Sequence, residues 1–201
     1  MSFLSIDCST DIGSLFIKIE NKTFSKDLQS DKFNNDLLMK QILDFFEENN
    51  VKFNDISKIF VNQGPGNFSG LRGSLAIAKG VSLAQNIKLF GYDTFIWSCA
   101  KFLKKKEFIC SVIKFRDGYF VKKFDKNLKN VSKIKKTTIN ELIRNYDKVH
   151  KVIPKKIVKN FDDKILKLSN SSIIDLDHNE LEFLHLKGLL DEDLIKPLYL
   201  G

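Results

Sequence analysis

Along the first hundred residues, short apolar runs and one longer helical pattern follow each other with turn residues between them. FLSIDC (Phe3–Cys8) predicts a buried strand, SLFIKIE (Ser14–Glu20) its hairpin partner across the turn STDIG, and KTFSKDL (Lys22–Leu28) a third strand. Between Ser30 and Asn50 the period changes. Leu38, Ile42, Phe45 and Phe46 recur at helical spacing and predict an amphipathic helix closed by ENN. KIFVN then predicts a short buried strand, QGPGN a loop, Phe68 to Gln85 a second helix, IKLFGYD a strand and DTFIWSCAKFLKKK a further helix.

After about Lys106 the pattern starts again. EFICSVIKF and GYFVKKFD form a hairpin around RDG, followed by NVSKIKK, a helix at TTINELIRNY, a strand-like KVHKVIP and a closing helix over LEFLHLKGLLDEDL. This order predicts an α/β protein of mixed sheets with covering helices. No linker rich in Gly, Pro or Ser separates the halves. The expectation is two related subdomains, 1–104 and 105–201, with the last helix (about 180–195) free to pack back on the first.

Composition narrows the class. A chain of 201 residues, 43% of them hydrophobic, buries a real core. No apolar run approaches the roughly 20 residues that cross a bilayer, and MSFLSIDCST lacks the basic and apolar regions of a signal peptide, so the expected location is the cytoplasm, with no membrane contact. Cys8, Cys99 and Cys110 have no metal-type pairing and read as buried thiols. The three histidines, His150, His178 and His185, form neither H-E-x-x-H nor an i, i+4 pair, which argues against a metal site built by this chain. The net charge of +8 is uneven: residues 101–167 carry 21 Lys and Arg against 7 Asp and Glu. Such a block either meets a polyanion or is a solvated surface.

Five of the ten glycines, Gly64, Gly66, Gly70, Gly73 and Gly80, fall between Val61 and Gln85. Gly64-Pro65-Gly66 follows a strand and precedes a helix, with Asn67 or Ser69 as the cap. A glycine turn at a helix start is a place for an anion, but neither the Gly-Lys-Ser/Thr of a phosphate-binding loop nor G-x-G-x-x-G is present. In the helix, at about 100° per residue, Gly80 and Ala84 lie within about 20° of Gly73, with Ala76 and Ile77 on either side. A line of small residues lets another helix approach closely.

GPGNFSGLRGSLAIAKG closely resembles the G-P-G-S-F-T-G-L-R motif and following helix of the bacterial TsaB (YeaZ) family, and LSIDCSTDIGSLFI resembles its opening hairpin. GYDTF, the RDG hairpin and the ending KPLYLG extend the resemblance along the chain. Asn67 stands for the usual serine, Ser69 for threonine and Gly73-Ser74 for Ile-Gly. Lys114-Phe115-Arg116 stands for Asp-Ala-Arg, and Asn34 and Asn35 lie where a histidine is often found.

The resemblance implies the actin, sugar-kinase and Hsp70 type of fold (RNase H-like). Asp7, Ser9 and Thr10 then lie where active members of that superfamily contact phosphate and metal. With Gly64, Pro65, Gly66, Asn67, Ser69, Gly70 and Arg72 they form a motif loop that is structural or a vestigial phosphate site. The resemblance implies no catalytic residue and no metal in this chain: ATP and metal belong to partner subunits. It implies a heterodimer with TsaD, action with the ATPase TsaE, and transfer of a threonylcarbamoyl group to an adenosine beside the anticodon of tRNA, reached through the complex. The expected contact surface is Leu38, Ile42 and Phe45 of the first helix and Gly73, Ala76, Gly80 and Ala84 of the second. A homodimer stays open, as do two other functions, an ATP-dependent small-molecule kinase of the same superfamily and a basic RNA-binding module.

Overall fold

The computed structural model describes residues 1–29, 35–116, 118–168 and 170–200. Asn34, Asp117 of the RDG turn and Gly201 lie outside the described residues. The chain forms two compact units, Met1–Asp93 with Leu190–Tyr199, and Thr94–Leu189.

In the first unit, β1 (Phe3–Asp7), β2 (Ile12–Ile19) and β3 (Lys22–Gln29) make an antiparallel meander. Helix α1 (Asn35–Glu48) then leads to β4 (Lys58–Asn62), and α2 (Phe68–Gln85) to β5 (Lys88–Tyr92). The sheet order is β3-β2-β1-β4-β5, with β4 and β5 parallel to β1. Strand alternation decides the layers. Leu4 faces Ile17 and Ile6 faces Leu15 on one side of the sheet, where they join Leu38, Ile42, Phe45 and Phe46 of α1 and Leu75, Ala78 and Val81 of α2. The other side carries an aromatic row, with ring centroids 4.8 Å apart for Phe3 and Phe60 and 5.8 Å for Phe60 and Phe90. All of β1 is buried, which is why it reads as a near-continuous apolar run. Helix α1 closes as ENN predicts: Asn50 takes φ +53 and the Val51 N–H donates to the Phe46 carbonyl at 2.9 Å.

The second unit repeats the plan. It contains α3 (Thr94–Cys99), β6 (Phe108–Phe115), β7 (Gly118–Asp125), β8 (Lys135–Thr137), α4 (Ile139–Asn145), β9 (His150–Pro154), α5 (Asp163–Leu166), β10 (Ser171–Ile174) and α6 (Asn179–Leu186). The order β10-β9-β6-β7-β8, with β6, β7 and β8 antiparallel and β9 and β10 parallel to β6, is the first sheet's arrangement again. Cys110, Val112, Tyr119 and Val121 pack on Leu142, Phe161 and Ile165.

Three expectations need correction. The units divide after Asp93, not at 104, and Leu190–Tyr199 belongs with the first. The helix expected over Asp93–Lys106 is α3 plus a 3₁₀ turn at Ala100–Phe102, because Lys104 turns to φ +58 and gives its N–H to the Lys126 carbonyl at 2.7 Å. The closing helix ends at Leu186 instead of continuing to about 195: Gly188 takes φ +65 and the Leu189 N–H folds back to the Leu184 carbonyl. What returns to the first unit is an extended segment, bridged to β5 at Gly91 and Asp191.

Candidate functional site: the glycine loop and the outer face of α2

Asp7 ends β1 fully buried. Its Oδ1 accepts from the Ser9 N–H at 3.0 Å, the Ser9 hydroxyl at 2.7 Å and the Asn62 side-chain amide at 3.0 Å. Asn62, at the end of β4, accepts in turn from the Gly64 N–H at 2.8 Å. Thr10 uses its hydroxyl within the turn, donating to the Ile12 carbonyl. The Gly64–Pro65 peptide is cis. Two glycines bring the loop onto the β1–β2 turn: a Cβ at Gly66 would collide with the Ser9 carbonyl, and one at Gly70 with that of Cys8. The Asn67 N–H donates to the same Ser9 carbonyl at 2.8 Å.

Turn and loop are thus in direct backbone contact, and Asp7 Oδ1 is held by donors of this chain. Among the described residues no three His, Cys, Asp or Glu side chains stand together as a metal-ion set.

Helix α2 starts where the loop leaves it. Asn67 is the cap, accepting from the N–H groups of Ser69 and Gly70, while Ser69 itself is exposed. The Arg72 guanidinium lies 3.9 Å from the centre of the Phe68 ring, and its Nε donates to the Tyr199 hydroxyl at 2.8 Å. The Phe68 and Tyr199 rings stack with centroids 5.3 Å apart. Both rings are about half exposed, at 51% and 48%. Sequence reasoning placed Arg72 here but missed Tyr199 and Asn62. The signal for Asn62 is a polar residue closing an apolar run; nothing local in the sequence pairs Tyr199 with a helix 127 residues away.

The proposed contact stripe divides. Gly73 is buried, whereas Ala76, Gly80 and Ala84 are exposed, and nothing lies within 4 Å of a Cβ built at Gly80. Leu83 beside them is 84% exposed. Lys79 and Leu83 face Glu192 and Leu194 of the returning segment across a groove of about 450 Å³. On α1 the assignment of Leu38, Ile42 and Phe45 to a partner surface is corrected: all three are at most 2% exposed and form the first unit's own core. The outward apolar residues of α1 are Leu37 and Leu43.

A TsaB protein described as "tRNA threonylcarbamoyladenosine biosynthesis protein TsaB", from Buchnera aphidicola subsp. Baizongia pistaciae (strain Bp), is 33% identical over 88 residues, a match covering 43% of this chain and 39% of that protein's own length. Residues 30–159 match the TsaD family, described as tRNA N6-adenosine threonylcarbamoyltransferase. The chain belongs to this family. Two solved structures share its fold from end to end. YeaZ from Pseudomonas aeruginosa superposes with a TM-score of 0.70 at 15% identity, over 99% of both chains. An uncharacterized protein with similarity to peptidase YEAZ, from the same organism, gives 0.74 at 14%, over 100% of this chain and 99% of that one. The chain thus has the α/β fold of these YeaZ structures, with two mixed sheets covered by helices.

Proposed function

We propose that this chain is the non-catalytic partner of a TsaD-type transferase in threonylcarbamoyl modification of tRNA, acting in the cytoplasm. The observation that carries the reading is the open stripe Ala76, Gly80 and Ala84, flanked by Leu83, on a helix whose other face is committed to the core. Small residues admit a second helix at close range, and an exposed leucine beside them supplies apolar area for it. The knot around Asp7 supports the same division of labour, since the carboxylate is held by this chain's own donors. ATP and metal then belong to TsaD and to the ATPase TsaE, and the tRNA adenosine is reached through the assembled complex.

The test compares Gly80→Leu with Gly80→Ala in thermal melting and in capture of TsaD. Because a Cβ at Gly80 meets nothing, both variants are expected to fold. The leucine variant is expected to bind TsaD at least about tenfold more weakly, the alanine variant nearly as the parent does. Normal TsaD binding by Gly80→Leu would put the interface elsewhere. Calorimetric titration of the isolated chain with ATP and magnesium is expected to give no tight binding; tight binding would favour an ATP-dependent kinase.

A further inference from the structure

The second unit carries a lysine ridge around the connection from β7 to the edge strand β8. The β7–β8 connection is a fixed turn. Leu128 is buried at its centre, and Asp125 Oδ1 accepts from the Asn127 and Lys129 N–H groups at 2.8 and 2.9 Å. Bonded back onto β7 through Lys123 and Val131, this turn presents Lys126, Lys129 and Lys133 outward. Lys104 joins it through its backbone bond to Lys126. Lys135 sits on edge strand β8 opposite Val121, and Lys123 lies 4.2 Å above the half-exposed Phe108 ring. None of these six lysines forms an ion pair among the described residues.

We infer that this ridge is a contact surface for the phosphate backbone of RNA. Unpaired cations concentrated on a rigid turn gain affinity from a polyanion by releasing its counterions, without needing to read bases. Lysine is common on edge strands, where it blocks pairing with other sheets. That role covers Lys135 alone of the six, since Lys123 lies on β7 and Lys104, Lys126, Lys129 and Lys133 lie outside the strands. The ligand class rests on the proposed role beside a tRNA-modifying partner; the ridge itself does not.

The test therefore uses the isolated chain and bulk unmodified tRNA, with no TsaD present, so its failure leaves the TsaD capture result standing. Two triple variants are compared, Lys104→Gln/Lys126→Gln/Lys129→Gln and Lys123→Gln/Lys133→Gln/Lys135→Gln. Each is set against a control of equal charge on the first unit, Lys18→Gln/Lys22→Gln/Lys58→Gln. Lys18, Lys58 and Lys123 are half-buried and the other positions exposed, and melting checks that each variant folds. The ridge variants are expected to weaken binding about tenfold at low salt and to reduce the slope of log affinity against log salt by about 2, while the control changes neither. Equal losses in the control would show a response to net charge alone and overturn the ridge. Tighter binding to phosphatidylserine vesicles than to tRNA, lost in the same variants, would assign the ridge to a membrane surface and overturn the RNA contact.

Discussion

Lys151 is 1% exposed in the middle of the second sheet, and its ammonium donates to three carbonyls, those of Tyr146, Asp147 and Val149, at 2.7, 3.2 and 2.9 Å. These carbonyls lie in the connection between α4 and β9, where that of Tyr146 also accepts from the Val149 N–H at 3.1 Å. Burial pulls the lysine below its ordinary pKa, and burial also pushes the neighbouring Cys110 thiol up to about 12, so the thiol stays neutral beside it. Lys151→Met keeps the bulk and takes the ammonium from all three carbonyls, of which that of Tyr146 keeps the Val149 N–H. The expected loss, read by urea unfolding, is roughly 2–3 kcal/mol, whereas an unchanged midpoint would mean the carbonyls find water. A charge count over 101–167 places this residue with the surface lysines, although its phase with Val149 and Ile153 points inward. Asp7 was legible from its place in an apolar strand, with Ser9 beside it in the turn; its third donor was not, because Asn62 is 55 residues away.

Helix α2 shows how far an element is readable from its own residues. The cap at Asn67 accepts two N–H groups, so Asn67→Ala is expected to cost about 1 kcal/mol and Asn67→Ser, which restores the motif's usual residue, only a few tenths. In thermal melts that is a fall of about 2–4 °C for alanine; equal melting of the two variants would show that the loop, not the side chain, holds the helix start. Elements with strong periodicity and their own stop signals, β1, β2, α1, β4, α2 and β5, were legible. Strand β10 and helix α5 were not, since four residues each leave no period to detect, and β10 is an edge with Ile173 46% exposed. The direction in which α1 faces was misjudged for a simpler reason. An apolar helical stripe looks the same whether it meets its own sheet or another protein.

At the scale of the molecule, the first unit is made from two stretches separated by the whole of the second. Gly91 and Asp191 exchange N–H bonds at 2.8 and 2.9 Å, the Leu198 N–H donates to the Gln63 carbonyl at 2.6 Å, and the Gln63 side chain donates to the Lys196 carbonyl. Ile195 enters the core beside Leu75 and Val81. A chain ending at Leu189 is expected to lose these bonds and that side chain and to unfold its first unit at lower denaturant. Amide exchange should locate the loss in β4 and β5, while β6 and β7 keep their protection. Uniform loss across both sheets would mean the segment serves the two alike. During synthesis the same arrangement sets a timetable. The strands of the first unit leave the ribosome earliest, yet the outer edge of β5 waits for its cover until Asp191 has emerged, so the half made first is completed only after the other has been made.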